Sequence, residues 1–100
     1  MTVHVIGQIK VDPDVLVKLW EERPDDFKAV ADDAKAQGAI SHAWGLGDGV
    51  AYVIDVWPDP ESFQNFFSTQ TTIPQLMEAA GVTEQPLFEI LEARTAPDSF

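Results

Sequence analysis

Cysteine is missing from all 100 residues of this chain, which removes disulfides, thiolate metal sites and cysteine nucleophiles from consideration. Basic residues are scarce, six against seventeen acidic ones, for a formal charge of −11. Such a balance repels phosphate backbones and anionic lipid surfaces, so nucleic-acid and membrane partners are not expected, and the acidity reads as a solvated surface. No apolar run approaches the roughly 20 residues of a membrane-spanning helix. The opening MTVHVIGQIKV lacks a basic segment ahead of an apolar core and cleavage site, so no secretion signal is read and a cytoplasmic home is expected. Internal repeats, linkers and low-complexity stretches are also missing.

What is present is a 45% hydrophobic chain with ten aromatic residues, enough for one modest core and one domain over residues 1–100. VHVIGQIKV alternates and is rich in β-formers. Asp12 and Pro13 then give the cap and first turn of a helix whose apolar stripe runs through Leu16, Leu19, Trp20, Phe27, Val30 and Ala34 to a stop near Gly38. Pro24 interrupts that stripe and predicts a kink, or two short helices, at ERPDD. ISHAWGLGDGVAYVIDVW reads as a hairpin turning at Asp48-Gly49, a pair suited to a type I′ turn. Asp59 and Pro60 start a helix with Phe63, Phe66 and Phe67, a further helical piece spans about Ile73 to Ala80, and PLFEILEAR is the last strand before a tail at 94–100. The order β, α, β, β, α, β with right-handed crossovers gives an α+β, ferredoxin-like fold. Strands one and three lie central, with strand four beside one and strand two beside three.

Alternation divides the strand residues into two faces. Val3, Val5, Gly7, Ile9, Ala43, Gly45, Tyr52, Ile54, Val56, Phe88 and Ile90 are assigned to the helix side. His4, Ile6, Gln8, Lys10, Ile40, His42, Trp44, Leu46, Ala51, Val53, Asp55, Trp57, Leu87, Glu89 and Leu91 make up the open face, which is too apolar to leave in water. Each exposed large apolar side chain forgoes roughly 1.5 to 3 kcal/mol, so a second copy of the sheet is expected to cover it as a two-fold dimer.

A ferredoxin-like chain of this length whose open face requires a partner resembles the dimeric α+β barrel superfamily, which includes the antibiotic-biosynthesis monooxygenases and the stress-responsive barrel proteins. The likeness runs over about Val3 to Arg94 and rests on element order and patterning. It implies a homodimer with a small-molecule pocket between sheet and helices in each subunit. It also implies enzymes that oxygenate or cyclise aromatic, polyketide-like compounds without a cofactor, or in some members degrade haem. No catalytic residue carries over by motif.

Counting back from the Asp48-Gly49 turn sets His42 opposite Asp55 on one face. A carboxylate that fixes the imidazole tautomer leaves the other ring nitrogen as a general base for a phenol or an activated carbon. The same pair also fits a structural contact that locks register at the dimer interface. With strands one and three taken as parallel and level, His4 falls beside Ala51, about 13 Å from Asp55 at about 3.3 Å per residue, so no metal site with two histidines is expected. Ser41 lacks a base or nucleophile elbow, and GLGDG lacks the lysine and helix of a phosphate loop. Trp20, Trp44, Tyr52 and Phe66, beside Phe63 and Phe67, are the candidates to line a substrate pocket, though their spacing equally suits plain core.

Two functional classes follow. One is a cofactor-independent monooxygenase or cyclase acting on an aromatic compound through His42 and Asp55. The other is a non-catalytic binding or accessory barrel whose polar pair is structural.

Overall fold

Proline and aspartate punctuate the chain where the sequence places its boundaries. In the computed structural model, which describes residues 1–100, β1 (Val3–Lys10) is followed by α1 (Pro13–Glu22) and α2 (Pro24–Ala36). Next come the hairpin strands β2 (Ser41–Gly47) and β3 (Val50–Trp57), then α3 (Pro60–Thr69), α4 (Thr72–Ala79) and β4 (Leu87–Glu92). The Asp12 carboxylate accepts the Asp14 N–H at 2.9 Å, and that of Asp59 accepts the Ser62 N–H at 2.7 Å, each one step ahead of a proline at the first helical position. Arg23 leaves helical geometry at φ −130° and ψ 50° because Pro24 follows it, so the stripe is carried by two helices.

The four strands form one sheet in the order β2-β3-β1-β4, antiparallel at every pairing. The chain is thus α+β and ferredoxin-like, as expected. The parallel relation assumed between the first and third strands is wrong: β2 runs parallel to β1 after the helical crossover, so its hairpin partner β3 must run opposite. His4 therefore faces Val56, not Ala51. It shares neither the sheet face nor the surroundings of Asp55, and the two cannot converge on one ion. The hairpin turn also differs from expectation. Gly49 has φ 68°, but no non-glycine residue has positive φ, so Asp48 does not take the conformation a type I′ turn demands. A single positive φ at the second loop residue is the requirement of a type II turn, and glycine meets it.

Register also corrects the face assignment. Val3, Val5, Gly7 and Ile9 lie opposite Trp57, Asp55, Val53 and Ala51, and Asp55 and Val53 in turn lie opposite His42 and Trp44. The helix side consequently holds the His42, Trp44, Ala51, Val53, Asp55 and Trp57 set. Ala43, Gly45, Tyr52, Ile54 and Val56 face outward with Ile6, Leu87 and Leu91. The first and last strands were assigned correctly; the hairpin was inverted.

Two clusters make up the buried interior. Ile9, Val11, Leu16, Leu19, Ala51, Leu76 and Ala80 form one, and Val3, Val5, Trp57, Phe63 and Phe66 the other. Phe88 presses its ring over Gly7, where a Cβ would come within 2.6 Å of it, so only glycine lets the ring lie against the central strand. The two clusters do not fuse, and a cavity lies between them.

Candidate functional site

Helices α2, α3 and α4 stand off the sheet far enough to leave a cavity of about 320 Å³. That volume falls within the range of small-molecule sites. Eighteen of its 21 lining residues are hydrophobic; the other three are Lys28, His42 and Asp55.

Strand pairing positions the polar group. His42 and Asp55 are directly opposed across β2 and β3, and His42 Nδ1 lies 2.6 Å from Asp55 Oδ1. The Asp55 side chain is 9% exposed and that of His42 41%, so the carboxylate is the buried anchor and the imidazole the accessible partner. The second carboxylate oxygen accepts the Trp57 indole N–H at 3.3 Å. Asp55 and Trp57 are two apart on one strand and share its inward face, while Trp57 itself is fully buried against Phe63 and Phe66. An ionised carboxylate only accepts, so His42 Nδ1 donates and Nε2 keeps its lone pair. The neighbouring Trp44 packs on the His42 ring edgewise at 5.7 Å and leans on Trp20 at 5.6 Å. Chemically the arrangement is an imidazole held in one tautomer, with its second nitrogen free, on the wall of an apolar chamber.

Of the residues proposed from the sequence, His42, Asp55, Trp44 and Phe66 all border the cavity. Trp20 lies behind Trp44, outside the lining, and its indole N–H is buried without a partner. Tyr52 is on the opposite face of the sheet, across from Gln8 and Gly45, because the register turns its side of the hairpin away from the helices. The pair was likewise expected on the open face, where a dimer would bury it; it lies beneath the helices instead. Two further residues belong to the site without being among the candidates. Trp57 was legible from its i, i+2 spacing to Asp55. Lys28, exposed on α2 three residues before Ala31, borders the cavity at its edge, where a lysine is easily taken for solvated flank. No group of three or more His, Asp or Glu residues is placed to share a metal ion.

No protein-family model and no curated protein sequence matches the chain significantly. Solved structures do. SnoaB, a cofactor-independent oxygenase from Streptomyces nogalater, aligns with a TM-score of 0.65 and 17% identity over 98% of both chains. The monooxygenase ActVA-Orf6 of Streptomyces coelicolor, solved with the ligand nanaomycin D, gives 0.67 and 17% over 94% of this chain and 88% of that one. An antibiotic biosynthesis monooxygenase gives 0.64 and 12% over 93% and 99%. Identities this low establish a shared fold, and function must be argued from the site.

Proposed function

We propose that this chain is a cofactor-independent monooxygenase acting on an aromatic, polyketide-like compound held in the cavity, with His42 as general base and Asp55 as the group that orients it. The observation carrying the proposal is the Trp57–Asp55–His42 hydrogen-bonded line, which ends on the wall of an otherwise apolar chamber of substrate size. Two neighbours of the same fold are an oxygenase that works without a cofactor and a monooxygenase solved with nanaomycin D, which lends support to the reading. Nε2 of His42 removes a proton from an activated ring carbon or phenol, and the resulting anion is electron-rich enough to react with dioxygen. One oxygen atom forms the new carbonyl as the O–O bond breaks, and the other leaves as water with the two hydrogens lost from the ring. The apolar walls keep bulk water away from the anion.

Anthrone is a suitable probe because its CH₂ lies between two aromatic rings and its oxidation to anthraquinone consumes one dioxygen and releases one water. The protein should accelerate that conversion with one dioxygen taken up per quinone formed. His42→Ala should slow it about 10²- to 10⁴-fold while circular dichroism reports an intact fold. A folded His42→Ala variant of undiminished rate would remove the base from the mechanism, and a wild type without activity on anthrone or any related phenol would favour a binding protein.

The proposal includes a homodimer through the outward face of the sheet, where Ile54, Leu87 and Leu91 are 43%, 66% and 47% exposed. The cytoplasmic home expected from the sequence is part of the same proposal.

A further inference from the structure

Three polar residues border the cavity, and two of them answer each other: His42 and Asp55 are joined at 2.6 Å. The third, Lys28, has no partner. Lys10, Lys18, Arg23 and Arg94 each pair with a carboxylate, whereas Lys28 enters none of the ion pairs or side-chain hydrogen bonds of the molecule. Carboxylates are within helical reach of it, Asp25 three residues before and Asp32 four after, yet neither pairs with it. The other unpaired cation, Lys35, lies in the last turn of α2, where the helix dipole favours a positive charge, and it does not line the cavity. One exposed, unpaired lysine therefore borders the mouth of an apolar chamber in a chain whose net charge is −11.

We infer that the cavity's ligand is an aromatic carboxylic acid, its ring system packed among the apolar walls and its carboxylate paired with Lys28. A permanent anion is the group that such a cation selects. A phenol, with a pKa near about 10, is neutral at working pH and is matched to His42 instead. A charge-assisted hydrogen bond at the edge of the cavity also discriminates where apolar packing cannot, since packing alone distinguishes one fused-ring compound from another only weakly. The inference rests on the cavity being a ligand site, as proposed above, and adds which ligands it takes.

Titrations with 2-naphthoate and its neutral isostere 2-naphthamide test both levels. The wild type should bind the acid about tenfold more tightly than the amide. Lys28→Met should erase that preference by weakening the acid and leaving the amide unchanged, while Lys28→Arg should keep it; the position is exposed on a helix, and circular dichroism verifies folding of both variants. Acid and amide bound equally, with Lys28→Met without effect, would overturn the role of Lys28 and leave the cavity reading standing. Failure of both compounds to bind would overturn the cavity as an aromatic site and the inference with it.

Discussion

Asp55 has two carboxylate oxygens and both are engaged, one by His42 and one by the indole of Trp57. A buried carboxylate with a single partner would be free to swing about its χ2 bond; with two donors on opposite oxygens its plane is fixed, and the imidazole inherits that orientation. The negative charge matters as much as the shape, because it favours hydrogen on Nδ1 and stabilises the imidazolium formed when Nε2 takes a proton. Asp55→Asn keeps the size of the group and removes the charge, and its amide can donate to His42 as readily as accept from it. In the wild type at a pH where His42 is neutral, ¹⁵N chemical shifts should report one dominant tautomer with hydrogen on Nδ1. In Asp55→Asn they should report a mixture, and turnover of anthrone should fall about 10²-fold. An unchanged tautomer ratio would mean that the ring is held by packing on Trp44 rather than by the carboxylate.

At the scale of elements, the polar caps are where sequence and conformation correspond most directly. The Ser62 N–H, hydrogen-bonded to the Asp59 carboxylate at the start of α3, holds its pKa below the usual value. A folded-state pKa lowered in this way means a contribution to stability that is complete above the unfolded carboxylate pKa and is lost as pH falls through the folded one. Asp59→Ala should therefore lower the melting temperature at neutral pH, and the gap to wild type should close in acid below both pKa values; a gap constant down to that range would assign the loss to something other than the charged cap. Asp12, Pro13, Pro24, Asp59 and Pro60 were legible because each acts through its own backbone neighbourhood. The inward face of the hairpin was not, for a long-range reason. Both faces of β3 are apolar, Ala51, Val53 and Trp57 on one and Tyr52, Ile54 and Val56 on the other, so alternation defines two sets without saying which meets the helices. The small Gly7, Ala43 and Gly45 suggest that their set makes room for bulky helix residues, whereas the opposition of Val5 and Asp55 across β1 and β3 puts His42 and Asp55 inside. The cross-strand distance within the pair depended only on the hairpin loop, which is local, and so the partnership was readable while its location was not.

For the whole molecule the outward face is the unsettled surface. It is far from polar: Ile6, Ile54, Val56, Tyr52, Leu87 and Leu91 share it, with Glu89 opposite Ile6 and Gln8 between Tyr52 and Leu87. Exposure of Ile54, Leu87 and Leu91 alone forgoes roughly 1.5 to 3 kcal/mol for each fully buried equivalent, a large share of a net stability of roughly 5 to 15 kcal/mol. A copy of the same face related by a two-fold axis covers apolar surface with apolar surface and needs no further chain. The protein should then sediment at twice its 11.0 kDa chain mass. Two acidic copies repel each other, so moderate salt should strengthen the association by screening that repulsion. Ile54→Glu places a carboxylate on β3, an inner strand of the outward face, where burial against a second copy without a partner would be costly, and should yield a folded monomer. Because the cavity lies on the other side of the sheet, binding of 2-naphthoate by that monomer should persist. A wild type that sediments as a monomer at all concentrations would show that the outward face tolerates water; a monomeric variant that loses naphthoate would show that the two faces of the sheet are coupled through β3.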